Sequence, residues 1–145
     1  MDDAETLHAY SIDPAFRQYQ ENPPLKLYEF NEIVHEIIAS RRVRPRTMFY
    51  FVVTLEDDDT PIGSVYLSVE DMDSRQAELG YLIGAPYWGQ AYATEAASVL
   101  VKFGFRKLHL RRIYAANVLA DNTAAVRVAE KLGMRQEAHF RDHRY

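Results

Sequence analysis

The sequence predicts an α/β fold in which a central, mostly antiparallel mixed sheet is flanked by helices. Aromatic and β-branched runs of strand length, separated by short polar turns, occupy the middle of the chain. Amphipathic stretches with apolar residues every three to four positions precede and follow these runs. A chain of 145 residues that is 48% hydrophobic and 26% charged can build its own core, so we expect one domain over residues 1–145.

The first half of the chain is expected to contain two helices and three strands. The helical period is clearest where Phe30, Val34 and Ile37 recur on one face. The expected helices are residues 3–10 and Tyr28–Ser40, separated by a loop that ends in Asn22-Pro23-Pro24. The expected strands are Met48–Leu55, Ile62–Val69 and Ala77–Ile83, joined by polar turns at residues 56–61 and 70–75.

The second half is expected to alternate helix and strand. A long helix over Tyr92–Leu108 carries a stripe of small and apolar residues, and a strand over Arg111–Val118 follows it. A last helix over Thr123–Leu132 is expected to be capped by Asp121 or Asn122 and closed by Gly133. The tail, residues 136–145, is a candidate for one more short strand.

Composition excludes several classes of function. The net charge of -4 does not suggest a nucleic-acid surface or an anionic membrane as partner. The absence of cysteine excludes disulfides, thiolate zinc sites and a cysteinyl intermediate. No apolar run is long enough to span a membrane, and the acidic start is unlike a secretory signal, so we expect a cytoplasmic protein.

The segment Tyr87–Ala96 is the strongest candidate for a binding site. It stands between a predicted strand and a predicted helix, where free N–H groups and the helix dipole favour an anion. Gly89 and Ala91 leave room for a phosphate to approach the backbone. The glycine patterns of dinucleotide-binding folds and of P-loops are both absent, so the residues alone indicate an anion site of unknown ligand.

Four segments resemble a known family in order and spacing. Trp-Gly-Gln-Ala-Tyr-Ala-Thr-Glu-Ala, residues 88–96, resembles the Trp-Gly-Lys-Gly-Tyr-Ala-Thr-Glu-Ala signature of the RimJ/RimL branch of the GNAT acetyltransferases. Glu78-Leu79-Gly80-Tyr81, Leu110–Ala115 and Asn122–Met134 resemble the strand before the loop, the strand after the long helix and the last helix of that family. The resemblance covers residues 50–141 and implies an acetyl-CoA-dependent transfer of an acetyl group to a primary amine.

The resemblance also implies which residues contact acetyl-CoA. The diphosphate would meet the backbone of residues 90–94, and the pantetheine arm would pair with the end of the third strand and with the amide of Asn122. The implied cofactor-binding residues are Leu82, Ile83, Trp88, Gly89, Gln90, Ala91, Tyr92, Ala93, Thr94 and Asn122. For Asn122, a plain helix cap is an equally physical interpretation.

Transfer to an amine needs a proton acceptor, and Glu78 is the candidate base, acting through water. The alternative for Glu78 is an exposed carboxylate at a strand end. A backbone N–H between Leu82 and Gly84 is the expected oxyanion donor. The serine that relatives place three residues after the helix asparagine is Ala125 here, which leaves the role of general acid vacant. Tyr92 and Tyr114 could substitute, with packing in the core as the alternative role of either.

The acceptor is expected to be a protein N-terminus or a small amine such as a polyamine. A different class, a CoA-binding sensor or partner-binding subunit without turnover, stays open because of Ala125. The first and last strands of the family are not visible in the sequence, and open sheet edges favour pairing, so a homodimer is expected.

Other charged clusters suggest solvated surface. The basic run Arg41–Arg46 and the triplet Asp57–Asp59 are typical of a helix end and a hairpin tip. His139 and His143 lack a third ligand, so we expect no metal site.

Overall fold

The computed structural model describes residues 3–116 and 118–139. The helices are α1 (Asp3–Ile12), α2 (Pro14–Arg17), α3 (Leu27–Ser40), α4 (Tyr92–Lys107) and α5 (Thr123–Lys131). The strands are β1 (Met48–Thr54), β2 (Pro61–Asp71), β3 (Gln76–Ile83) and β4 (Arg112–Tyr114). Within these residues no helix is long and apolar enough to cross a membrane.

The four strands form one sheet in the order β1-β2-β3-β4. The first three strands pair antiparallel, and β4 pairs parallel with β3. The parallel pair is short, since it matches only residues 76–78 of β3 with residues 112–114 of β4. The prediction of a mostly antiparallel mixed sheet flanked by helices is confirmed.

The core lies between one face of the sheet and α4. Side chains alternate along a strand, so Leu67 of β2 and Leu79 of β3 project to the same face, and both are at most 2% exposed. They pack in one cluster with Ala97 and Leu100 of α4. Helix α1 also packs against β2 and β3 and buries its own Leu7.

Helix α4 approaches the sheet closely because Gly104 has no side chain. A Cβ at this position would lie 2.8 Å from Ile113 and 3.0 Å from Leu67 and Leu110. The small residues that the sequence places along this helix therefore set the distance between helix and sheet.

The first half of the chain differs from the prediction at one point. The predicted loop contains α2, which begins because Pro14 suits the first position of a helix and Asp13 caps it with a 2.8 Å bond to the N–H of Ala15.

The second half differs at two points. The strand predicted over residues 111–118 is wrong in length, because only Arg112–Tyr114 finds a partner in β3. Residues 136–139 form no strand, and the rest of the predicted tail strand lies outside the described residues.

Replacing Leu67 by Ala should destabilise the protein by about 2–5 kcal/mol, because Leu67 is fully buried and the substitution leaves a cavity. Replacing Val99 by Ala should change stability by less than about 0.5 kcal/mol, since Val99 lies on α4 but is 65% exposed. Urea denaturation measures both. Equal effects of the two substitutions would contradict the assigned core.

Candidate active site

The candidate site begins where β3 and β4 part. Beyond the pair Glu78–Tyr114, the edge of β3 from Leu79 to Ile83 has no strand partner among the described residues. We call the resulting gap between this edge and the β4–α5 side the slot. Unpaired strand edges carry free N–H and C=O groups, so the slot can accept an extended ligand.

The backbone of β3 alternates in direction along the slot. The N–H of Gly84 donates to the carbonyl of Ile62 in β2 at 2.8 Å, so Gly84 faces β2. By the alternation of an antiparallel ladder, Leu82 also faces β2, opposite Ser64, while Tyr81 and Ile83 face the slot. Of the predicted oxyanion donors between Leu82 and Gly84, only the N–H of Ile83 therefore points into the slot.

Two side chains bound the slot. The Trp88 indole Nε1 donates to the Ile83 carbonyl at 2.6 Å, which ties the loop after β3 to the strand end. The Tyr81 hydroxyl donates to the Ala125 carbonyl at 3.1 Å, which joins β3 to the first turn of α5. Burial raises the pKa of Tyr81 to about 12, so this phenol stays protonated at neutral pH and keeps its donor.

The 84–91 loop turns sharply before α4. Gly89 has a φ of 76° and Ala91 a φ of 65°, so both lie in the left-handed region. A Cβ at Gly89 would meet nothing within 4 Å, so the space beside this residue is open. Left-handed residues in a tight turn direct neighbouring N–H groups toward one point, which is how anion-binding concavities form.

The first turn of α4 adds further donors. Ala91 is its N-cap residue, and no side chain caps this helix start. The N–H groups of Tyr92, Ala93 and Thr94 have no acceptor within the helix, whereas the N–H of Glu95 already donates to the Ala91 carbonyl at 2.9 Å. The predicted Gln90–Thr94 segment therefore presents backbone donors and the positive end of the helix dipole at one place.

Asn122 is the N-cap of α5. Its Oδ1 accepts from the N–H of Ala125 at 3.1 Å, so the cap predicted for Asp121 or Asn122 falls on Asn122. The cap uses only the oxygen of the side-chain amide, which leaves the Nδ2 group as a donor. Because the Tyr81 bond fixes this same first turn against β3, Asn122 stands at a helix start that is tied to the slot.

Glu78 lies within β3 and not at an exposed strand end. It stands opposite Ser68 of β2 and Tyr114 of β4, and it is half-buried. The sequence alternative of an exposed terminal carboxylate therefore does not describe its position. Its negative charge contributes to raising the pKa of Tyr66 and of Tyr114, so the three groups lie close together on the face opposite α4.

Two tyrosines that the sequence reasoning missed, Tyr50 and Tyr66, lie near Glu78 together with Tyr114. The ring of Tyr66 lies against Gly80, where a Cβ would be 2.2 Å from it, and stacks on Tyr50 at 6.0 Å between centroids. The Tyr114 hydroxyl donates to the Glu70 carboxylate, which together with burial raises the pKa of Tyr114 to about 12. No local sequence signal marks this cluster, because it depends on the register of four strands.

A cavity of about 260 Å³ lies between the N-terminal helices. Its lining includes Arg17 at the end of α2 and Gln20, Asn22 and Pro23 from the loop that follows. The basic run Arg41–Arg46 and the acidic triplet Asp57–Asp59 contribute no residue to this lining. Among the described residues no cluster of metal ligands is found. His143 lies outside the described residues.

The family of the chain follows from comparison with known proteins. The model of the acetyltransferase (GNAT) domain matches residues 1–135, so the chain belongs to the GNAT acetyltransferases, a family that uses acetyl-CoA, and it is an N-acetyltransferase. An uncharacterized N-acetyltransferase, p20 of Bacillus licheniformis, is 27% identical over 99% of this chain and 79% of its own length. The spermidine N(1)-acetyltransferase of Escherichia coli K12 is 28% identical over 85% of this chain and 67% of its own.

Solved structures share the fold. A GNAT-family acetyltransferase from Bacillus anthracis matches with a TM-score of 0.79 and 27% identity, over 95% of this chain and 77% of its own. A spermidine N-acetyltransferase from Vibrio cholerae, solved with CoA and spermine, matches with a TM-score of 0.79 and 24% identity, over 94% of this chain and 78% of its own. A ribosomal-protein-S5-alanine acetyltransferase from Vibrio fischeri matches with a TM-score of 0.81 and 21% identity, over 99% of this chain and 80% of its own.

Replacing Ala91 by Gly should raise the free energy of unfolding by about 1 kcal/mol, because glycine adopts a left-handed backbone without the steric cost that alanine has. Gly89→Ala should lower it by a similar amount, since the added methyl group meets open space and only the backbone is strained. Urea denaturation measures both changes. If either substitution had the opposite sign, the left-handed geometry of the loop would be refuted.

Proposed function

We propose that this protein transfers the acetyl group of acetyl-CoA to a primary amine by direct attack, with the diphosphate at the start of α4 and the arm in the slot. The observation that carries the proposal is the open edge of β3 beside two left-handed residues and an uncapped helix. The open edge offers backbone groups to an extended pantetheine arm, and the adjoining helix start offers N–H groups to an anion.

The residues proposed for acetyl-CoA divide by what they offer. Gln90, Ala91, Tyr92, Ala93 and Thr94 offer backbone N–H groups to the diphosphate, and Gly89 leaves the approach open. Tyr81 and Ile83 offer backbone groups to the arm, and Asn122 offers its Nδ2. Leu82 would contact the arm only through its side chain, and Trp88 shapes the mouth of the slot through its bond to Ile83.

Glu78 is the proposed base. An alkylamine is mostly protonated at neutral pH and attacks only after it loses a proton, which Glu78 accepts through water. The N–H of Ile83 is the proposed donor to the oxyanion that forms as the nitrogen adds to the thioester carbonyl. No hydroxyl stands at Ala125, and the Tyr81 phenol is held on the carbonyl of that residue, so the thiolate leaves without a dedicated acid.

The acceptor class that we favour is a small cationic amine. Glu70 and Glu78 place two carboxylates around Tyr114, and Tyr66 and Tyr50 add aromatic faces that attract ammonium groups. The relative from Escherichia coli is named for spermidine, which has this chemistry. Membership in the RimJ/RimL branch, a cytoplasmic location and a homodimer stay predictions from the sequence.

Gly89→Glu should abolish the thermal stabilisation that acetyl-CoA produces, because a carboxylate and its bulk would occupy the open space beside the α4 start. At a concentration of 100 times Kd, that stabilisation is about 2.7 kcal/mol in the wild type. Gly89→Ala is the matched control, since it strains the backbone equally but adds no charge, and it should keep most of the stabilisation. Full stabilisation of the Glu variant would place the diphosphate elsewhere.

Glu78→Gln should lower kcat by about 10²- to 10⁴-fold at neutral pH and leave the KM for acetyl-CoA unchanged. The deficit should shrink as the pH rises toward the pKa of the amine, because more of the acceptor is then neutral without help. Free-thiol release with spermidine measures both effects, and the exposed Glu130→Gln serves as control. A deficit that does not change with pH would remove Glu78 from the role of base.

The acceptor class is tested in the same assay. Spermidine should be acetylated with a higher kcat/KM than a peptide with a free N-terminal alanine, and Glu70→Gln should reduce this preference. A preference for the peptide would favour an N-terminal acceptor, and release with neither acceptor would contradict the proposed class.

A further inference from the structure

A second cavity lies at the opposite end of β2 and β3 from the slot. It has a volume of about 190 Å³ and is formed by the end of β2, the turn into β3 and the C-terminal end of α4. Three cationic side chains, Arg46, Arg75 and Lys107, line it. The described part of its lining contains no carboxylate, so the cavity combines a positive charge with an apolar floor.

One of the three cations, Arg46, is held by its side chain, and the backbone that carries a second, Arg75, is fixed. The Arg46 guanidinium lies 4.6 Å from the centroid of the Phe49 ring, and its Nε donates to the Met48 carbonyl at 2.8 Å. Arg75 has a φ of 53°, a left-handed conformation that arginine rarely adopts. Its carbonyl accepts from the N–H groups of Arg111, at 2.8 Å, and of Arg112, so the backbone that carries the side chain is fixed.

The apolar floor belongs to the core. Val69 and Leu110 are 5% and 7% exposed and form part of the cluster between the sheet and α4, whereas Met72 is 48% exposed and also lines the cavity. A cation at the end of a helix is explained by the helix dipole alone, which accounts for Arg106 and Lys107 equally. The dipole does not explain why Lys107 shares an apolar cavity with two arginines from other segments.

We propose that this cavity is a binding site for a small organic anion, namely a carboxylate on a short alkyl chain or an aromatic ring. The carboxylate would lie among Arg46, Arg75 and Lys107, and the apolar body would lie against Val69, Met72 and Leu110. Charge-assisted hydrogen bonds and burial of apolar surface would both contribute to the affinity. The site is separate from the slot and does not depend on acetyl transfer.

Binding is measured by titration calorimetry on the whole chain with hexanoate and benzoate as probes. Hexan-1-ol and inorganic phosphate are the two comparison ligands, since each offers only half of the proposed chemistry. Both should bind at least about tenfold more weakly than hexanoate, because a hydrogen bond to a charged group is worth about 1.5–3 kcal/mol and apolar burial adds to it. If phosphate bound as tightly as hexanoate, the apolar floor would have no role and the proposal would be wrong.

Variants locate the site. Arg75→Gln and Lys107→Gln should each weaken hexanoate binding about tenfold, whereas Arg106→Gln, on the same helix end but outside the lining, should leave it unchanged. Met72→Glu adds a carboxylate at an exposed position of the lining and should weaken binding without disturbing the core. Equal binding by these variants and the Arg106 control would overturn the proposal.

Gly89→Glu separates this proposal from that of the acetyl-CoA site. Hexanoate should bind this variant as it binds the wild type, because the substitution is confined to the loop before α4. Loss of hexanoate binding in Gly89→Glu would mean that the probe enters the slot, and the second site would then be excluded.

Discussion

The structure depends on the point at which β3 and β4 separate. Three pairs of residues join the strands, and beyond Glu78 and Tyr114 the two backbones diverge. An unpaired backbone edge inside a sheet is costly unless other groups satisfy it. The fold therefore keeps an opening between β3 and the last strand of its sheet, and the groups proposed to act on acetyl-CoA are arranged around that opening.

Two hydrogen bonds between described residues bound the opening. The indole N–H of Trp88 donates to the carbonyl of Ile83 near the loop, and the hydroxyl of Tyr81 donates to a carbonyl in the first turn of α5. Between these contacts, the backbone of Tyr81 and the N–H of Ile83 face the gap. The starts of α4 and α5 stand on either side of this gap. The loop before α4, the two helix starts and the half-buried carboxylate of Glu78 therefore all lie around the place where the pairing of β3 with β4 ends.

Much of the fold could be predicted from local sequence patterns. β1, β2 and β3 begin and end within about two residues of the predicted limits, because aromatic and β-branched runs alternate with polar turns. Helix α4 could be predicted from its stripe of small residues, and α5 from Asn122 and Gly133 at its ends. In the candidate site, the short segment around Gly89 could be located for the same reason, since its backbone geometry is local.

The remaining features depend on contacts between distant segments. The length of β4 is set by where β3 stops pairing with it, which the composition of residues 111–118 does not encode. The direction of the Leu82 backbone follows from its register opposite Ser64, and a shift of one residue would reverse it. The tyrosines around Glu78 meet for the same reason, because Tyr50, Tyr66 and Tyr114 come from three different strands.

Trp88 is the only tryptophan of the chain, and its indole is 41% exposed while its N–H is held on Ile83 at the mouth of the slot. Indole emission responds to the polarity of its surroundings and to the hydrogen bond of its nitrogen. The protein therefore carries a single indole fluorophore, at the entrance of its candidate site. Occupation of the opening can be followed optically in the unlabelled chain, without any signal from a second indole.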